Sequence, residues 1–120
     1  MRPYESREDY LEKILELSSK KEHIRAIDIV LAMHFSKPSV SIAMKKLQDE
    51  GLINIDENGY ILLTPEGHKI ASDILDKHIA IAKLFMRLGV SEKTAYEDAG
   101  HLEHDLSEET WKAIENHVKR

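Results

Sequence analysis

The sequence predicts a mainly α-helical protein, an N-terminal winged helix-turn-helix followed by an α-helical dimerisation domain, and three observations carry that expectation. Apolar residues recur at helical spacing through most of the chain. Ser36-Lys37-Pro38-Ser39 starts a helix directly behind another short helical pattern. Asp56-Glu57-Asn58-Gly59 then separates two short runs of strand-forming residues. With 120 residues, 42% of them hydrophobic, the chain can build one compact core or two small ones. It has no cysteine, so a disulfide framework, a thiolate nucleophile and a structural zinc site built on thiolates are all excluded. A net charge of -5 disfavours bulk coating of nucleic acid and leaves room for a local basic patch. No apolar run approaches a membrane span and Met1 to Tyr10 is charged rather than a signal peptide, so a cytoplasmic protein without a membrane partner is expected.

Taken in order, Glu5 to Lys20 places Tyr10, Leu11, Ile14, Leu15 and Leu17 along one side of an amphipathic helix. Asp9 and Glu12 are three apart and share a face, a spacing at which two carboxylates either hold one ion or sit in water. Ile24 to Phe35 reads as a short scaffold helix with Ile27, Val30 and Leu31 inward. Ser36 then caps a second helix, with Pro38 in its first turn and Val40, Met44 and Leu47 repeating up to Gly51. In a helix-turn-helix the second helix enters the major groove and offers its N-terminal residues to base edges. That places Ser39, Ser41 and Ile42 at bases and Lys37, Lys45 and Lys46 at phosphates, with double-stranded DNA as the partner. Leu52 to Ile55 and Tyr60 to Leu63 flank an Asn-Gly turn and form the wing, which closes a first domain over residues 1–64.

The second domain, residues 65–120, opens with Thr64 as N-cap and Pro65 in the first helical position. Ile70, Ile74, Ile81, Leu84, Phe85 and Leu88 continue the pattern to Gly89. A helix this long, more apolar toward its end, links the winged domain to an oligomerisation surface, so a homodimer is expected. His78 stands in its middle. A further helix runs from Glu92 to about His104 and ends in Glu103-His104, an adjacent carboxylate and imidazole able to reach one divalent metal. Two solvated polar residues are the plain alternative. Ser107 caps a last helix from Glu108 to about Lys119, with Trp111, Ile114 and Val118 as its apolar stripe. Glu97, Asp98, Glu103, Asp105, Glu108 and Glu109 follow one another without a Lys or Arg between them, which suits a cation better than DNA. The sequence holds no Gly-rich phosphate loop and no nucleophile with a base at a plausible turn, so the expectation is not an enzyme.

Over nearly its whole length the chain resembles the metal-dependent transcriptional regulators that include the diphtheria toxin repressor and the manganese transport regulator. The landmarks are Glu8-Asp9-Tyr10-Leu11-Glu12, Pro38-Ser39-Val40-Ser41, Lys46-Leu47, Gly51-Leu52-Ile53, Leu63-Thr64-Pro65-Glu66-Gly67, His78, Leu88-Gly89-Val90, and Glu103-His104 with Leu106-Ser107. The resemblance implies a repressor of metal-uptake genes with metal as co-repressor. Asp9, His78, Glu103 and His104 match primary ligands, and Glu12 matches a residue serving a second ion. Asp9 stands where iron-responsive relatives carry methionine, which puts Mn2+ first, Fe2+ next, and Zn2+ or Co2+ as substitutes. The pattern departs at Gly100, where the family carries a metal-holding carboxylate or cysteine. One tightly held ion per chain is therefore expected, with His101 or Asp98 as the residues to fill the gap. The chain as given ends at Arg120, before the third small domain of the longer iron-responsive members. The competing expectation is a metal-independent winged helix whose acidic C-terminal part is a protein-interaction module.

Overall fold

The computed structural model describes residues 3–119, with side chains described from Arg7 onward. The elements are α1 (Pro3–Ser18), α2 (Ala26–Met33), α3 (Lys37–Asp49), β1 (Ile53–Ile55), β2 (Ile61–Leu63), α4 (Pro65–Arg87), α5 (Glu92–Leu102) and α6 (Glu108–Val118). The chain divides into two compact units inside α4, after Ser72. The sequence pattern placed a domain division at Thr64, but Ile70 and Ala71 pack into the first core, so the opening turns of α4 belong with the wing.

The first core gathers Leu11 and Ile14 from α1, Ile29 from α2, Val40, Met44 and Leu47 from α3, and Ile53 and Ile61 from the wing. The inward face of α2 differs from expectation: Ile29 is fully buried and Val30 is half-buried, whereas Ile27 and Leu31 are 42% and 67% exposed. The cause is that Ala26 to Met33 is apolar at every position except Asp28, so its periodicity has no phase to read. Asp28 fixes the start of α2 by accepting from the Arg25 N–H at 2.9 Å, and from Lys21 Nζ at 2.7 Å. The Lys21 hydrogen bond, then the backbone one, hold its carboxyl below the usual carboxylate range.

His34 ends α2 in the left-handed region, φ 59, with its N–H on the Val30 carbonyl at 2.9 Å. A side chain there costs about 1–2 kcal/mol of backbone strain that glycine avoids, set against glycine's extra unfolded-state entropy. His34→Gly should therefore raise unfolding stability by roughly 0.5–1 kcal/mol in urea titration; a loss of stability would show that the His34 ring contributes packing.

Ser36 caps α3 by accepting from the Ser39 N–H at 3.3 Å, and Gly51, at φ 76, takes the chain out of its far end. The wing pairs Ile53 with Leu63, Asn54 with Leu62 and Ile55 with Ile61 in antiparallel register. Its turn is built on Asp56 as well as on the Asn-Gly step. Asp56 Oδ1 accepts from the N–H groups of Asn58 and Tyr60, each at 2.9 Å, and Gly59 supplies the positive φ of 79. The Ile61 N–H donates to the Ile24 carbonyl at 2.7 Å, tying the wing to the segment ahead of α2. Tyr60 reinforces that tie, stacked on His23 at 4.2 Å with Arg25 4.8 Å from its ring centre.

Thr64 caps α4, accepting from the Gly67 N–H at 3.1 Å and donating to the Gly51 carbonyl at 2.7 Å. In the second unit Ile81, Ala82, Ala95 and Ala99 form a small core flanked by Phe85, Met86, Tyr96, Leu102, Leu106 and Ile114. The alanines let α4 and α5 approach closely. Leu88, expected on the apolar side of α4, lies beyond its last residue and is 73% exposed. Gly89, at φ 101, breaks the chain, and Ser91 and Ser107 cap α5 and α6. Arg87 donates to the carbonyls of His117 and Val118, each at 3.0 Å, and so closes the C-terminal end of α6. Trp111 is half-buried, with Lys77 Nζ 5.6 Å from its ring centre. No helix among the described residues is long and apolar enough to cross a membrane.

Candidate nucleic-acid face and metal centre

α3 splits cleanly into two sides. Val40, Met44 and Leu47 are 0–2% exposed and anchor the helix, while Lys37, Ser39, Ser41, Ile42, Lys45 and Lys46 are all exposed. Every residue assigned from sequence to bases or phosphates therefore lies on one accessible helix. Ser39 Oγ accepts from Ser36 Oγ at 2.9 Å, so the hydroxyls at the start of the helix are already organised. The three lysines leave this face positive within a chain of net charge -5.

The second unit holds a compact group of metal-ligand types. Glu103 is only 3% exposed, and its two oxygens face two imidazoles: His78 Nδ1 lies 3.5 Å from Oε2 and His104 Nε2 lies 3.3 Å from Oε1. Tyr96 fixes the His78 tautomer, because its carbonyl can only accept and stands 2.8 Å from His78 Nε2. Nε2 must carry the proton, and Nδ1 keeps its lone pair toward Glu103. Nitrogen and oxygen donors about 2.1 Å from a divalent ion stand roughly 3.0–3.4 Å from one another, and each of the two pairs is within about 0.1 Å of that range, with a separate Glu103 oxygen offered to each imidazole. The residues fit a borderline divalent cation, and the hydrogen bond to Tyr96 is the kind of support that orients a metal-binding imidazole.

The Glu103-His104 pair lies at the C-terminal end of α5. The helix was expected to run to about His104; it stops at Leu102, with Glu103 as C-cap and His104 in the following turn. Glu103 keeps helical dihedrals, φ -57 and ψ -27, and its N–H still donates to the Ala99 carbonyl at 3.0 Å, so the helical turn carries on to the pair. His101 and Asp98 remain exposed on α5, and His101 takes no part in the group around Glu103. Gly100 does face it: a Cβ built there would meet His78 Cε1 at 3.6 Å and Nε2 at 3.7 Å, ordinary contact distances. The first unit presents Asp9, half-buried, and Glu12, 6% exposed, on α1. Among the described residues the buried carboxylates are Glu12 in the first unit and Glu103 in the second, and buried charges are characteristically paired or bound to metal. Sequence reasoning did not find the Tyr96 carbonyl, since a backbone oxygen has no residue-type signature.

A winged helix with a basic outer helix, continued by a domain that buries a carboxylate against two histidines, has the parts of a DNA-binding regulator with its own metal-binding domain. Comparison with known proteins supplies the family. Residues 4–68 match the iron dependent repressor N-terminal DNA binding domain, and residues 64–120 match the iron dependent repressor metal binding and dimerisation domain. The chain belongs to this family of metal-dependent transcriptional regulators, which are not enzymes. It is 34% identical over 107 residues to the transcriptional regulator MntR of Escherichia coli O6:H1, covering 89% of this chain and 69% of that one. It is 33% identical over 113 residues to the HTH-type transcriptional regulator MntR of Geobacillus kaustophilus, covering 94% and 78%. The structure of the manganese regulator SloR superposes with a TM-score of 0.81 at 34% identity, over 94% of this chain; the chain spans about half, 53%, of the SloR chain.

Proposed function

We propose that this protein is a cytoplasmic, metal-dependent repressor of metal-uptake genes that binds double-stranded DNA as a homodimer, with Mn2+ as co-repressor, Fe2+ next in order, and Zn2+ or Co2+ as substitutes. The observation that carries the reading is the buried Glu103 carboxylate between His78 and His104, with donor spacings that suit a divalent ion. The ligand set proposed is Asp9, His78, Glu103 and His104, with Glu12 serving any second ion. The all nitrogen and oxygen donor chemistry, with Asp9 in place of a softer ligand, supports manganese over softer metals. Held by the proposed set, a divalent cation would supply a positive centre for the Asp9 and Glu103 carboxylates. Ligands drawn from two units bind best when those units hold the arrangement that lets them converge. By linkage, metal then raises the population of that arrangement by no more than its differential affinity. Match of residues 64–120 to a metal binding domain favours this reading over a metal-independent interaction module.

The test is a DNA-binding titration on a duplex selected from a random pool, with Mn2+, Fe2+, Zn2+ or chelator present. Affinity should rise with metal and fall on chelation; an affinity indifferent to chelator would return the interaction-module reading. On the same duplex, Lys46→Ala should weaken binding and reduce the slope of log affinity against log salt by about 0.9 per protomer, or about 1.8 for the homodimer, the loss of one phosphate contact from each recognition helix. An unchanged slope would remove Lys46 from the phosphate-facing set.

A further inference from the structure

Ile42 is 71% exposed, the second most exposed large hydrophobic side chain among those described, and it is the apolar centre of an otherwise polar helix face. It stands two residues from both Val40 and Met44, about 200° round the helix from each, and therefore points directly away from the buried side. Its neighbours on that face are Ser39, Ser41, Lys45 and Lys46, all exposed. Nothing in the folding of the first unit calls for it: the core anchors of α3 are Val40, Met44 and Leu47, and a β-branched residue lowers helix propensity. An aliphatic group held out among cationic and hydroxyl groups fits a surface with phosphates at its edges and an apolar spot within. In DNA that spot is the 5-methyl group of thymine, the apolar feature of the major groove.

We propose that Ile42 reads thymine methyl groups, so that the recognised half-site carries a thymine beneath the middle of α3 and is distinguished there from the other bases by apolar contact. This inference rests on the DNA-binding reading above and adds its sequence preference. Ser39 and Ser41 can hydrogen-bond either to bases or to phosphates, so they discriminate little by themselves; Ile42 cannot hydrogen-bond at all, and its contact is selective for a methyl.

The experiment uses the full chain with Mn2+. A duplex is first selected from a random pool, and each thymine in it is then replaced singly by uracil, which removes only the methyl group. At one position per half-site uracil should weaken binding about fourfold, the affinity equivalent of one methyl leaving a buried contact. Ile42→Ala should bind the thymine and uracil duplexes equally, while its unfolding midpoint stays unchanged or rises. Uracil tolerated at every position, or a thymine-to-uracil ratio in Ile42→Ala equal to wild type, would overturn the assignment while leaving metal-dependent DNA binding intact. Selection of no preferred duplex would overturn the regulatory reading and this inference together.

Discussion

Gly67→Ala should destabilise the first unit by about 3 kcal/mol or more, the largest stability effect expected of any single methyl group here. A Cβ at Gly67 would come within 1.9 Å of the Leu52 carbonyl oxygen and 2.9 Å of its carbon. These are backbone atoms, so no rotamer change relieves the clash; either α4 or the strand entry has to move. Both are held in place. The Thr64 N–H donates to the same Leu52 carbonyl at 3.1 Å, and Thr64 Oγ1 joins the Gly51 carbonyl to the Gly67 N–H. The wing and the first turn of α4 are thus one hydrogen-bonded corner, and the alanine methyl would pry it open. Urea unfolding of Gly67→Ala beside Gly100→Ala checks this. Gly100 meets nothing closer than 3.6 Å and sits inside a helix, so alanine there should be neutral or stabilising by up to about 1 kcal/mol. Equal stabilities for the two variants would mean that the corner yields freely. DNA affinity should fall with Gly67→Ala, because the corner fixes the wing next to α3.

Much of this architecture is legible in the residues because helix starts have chemical markers. Ser36, Thr64, Ser91 and Ser107 each have a hydroxyl ahead of a helical pattern, and all four accept from the backbone N–H three residues on in the structure. The wing is legible for a similar reason, since Gly59 meets a positive φ that few residues tolerate. The inward side of α2 is not legible: an almost uniformly apolar octapeptide carries no phase, and Ile29 is chosen by the packing of neighbouring helices. The role of Gly67 also escapes, because a glycine in a first helical turn reads as a turn residue until the opposing backbone is known. In the metal-ligand group, Glu103 and His104 are legible as a pair. The proximity of His78, twenty-five positions earlier on another helix, depends on how the alanine-rich contact of α4 and α5 sets the register. His101 shows the limit from the other direction: spacing alone admitted it, and its place on the exposed side of α5 leaves it outside the group.

His78→Ala should weaken Mn2+ binding by at least about 100-fold and shift the Mn2+ midpoint for DNA binding by a comparable factor. The argument begins with geometry. His78 reaches Glu103 from α4, a different helix from the one that ends in Glu103, and Tyr96 fixes its Nδ1 as the donor. Replacing the ring with a methyl removes the proposed ligand and leaves the neutral Tyr96 carbonyl to water, a local cost of about 1 kcal/mol that the second unit can absorb. Dimerisation and far-ultraviolet circular dichroism should therefore stay as in the wild type while metal affinity collapses. Reciprocity makes the two losses one quantity: if metal stabilises the DNA-competent arrangement, a weaker metal site must move the DNA midpoint in step. Calorimetric titration with Mn2+ reads affinity and stoichiometry together, and the wild type should bind one ion per chain tightly, since Gly100 brings no side chain to the His78 ring. His101→Ala serves as the matched control and should leave both the affinity and the DNA midpoint unchanged, because its ring is exposed and apart from Glu103. A His78→Ala protein that responds to Mn2+ at the wild-type midpoint would show that the co-repressor binds elsewhere, and the assignment of Glu103 and His104 would fall with it.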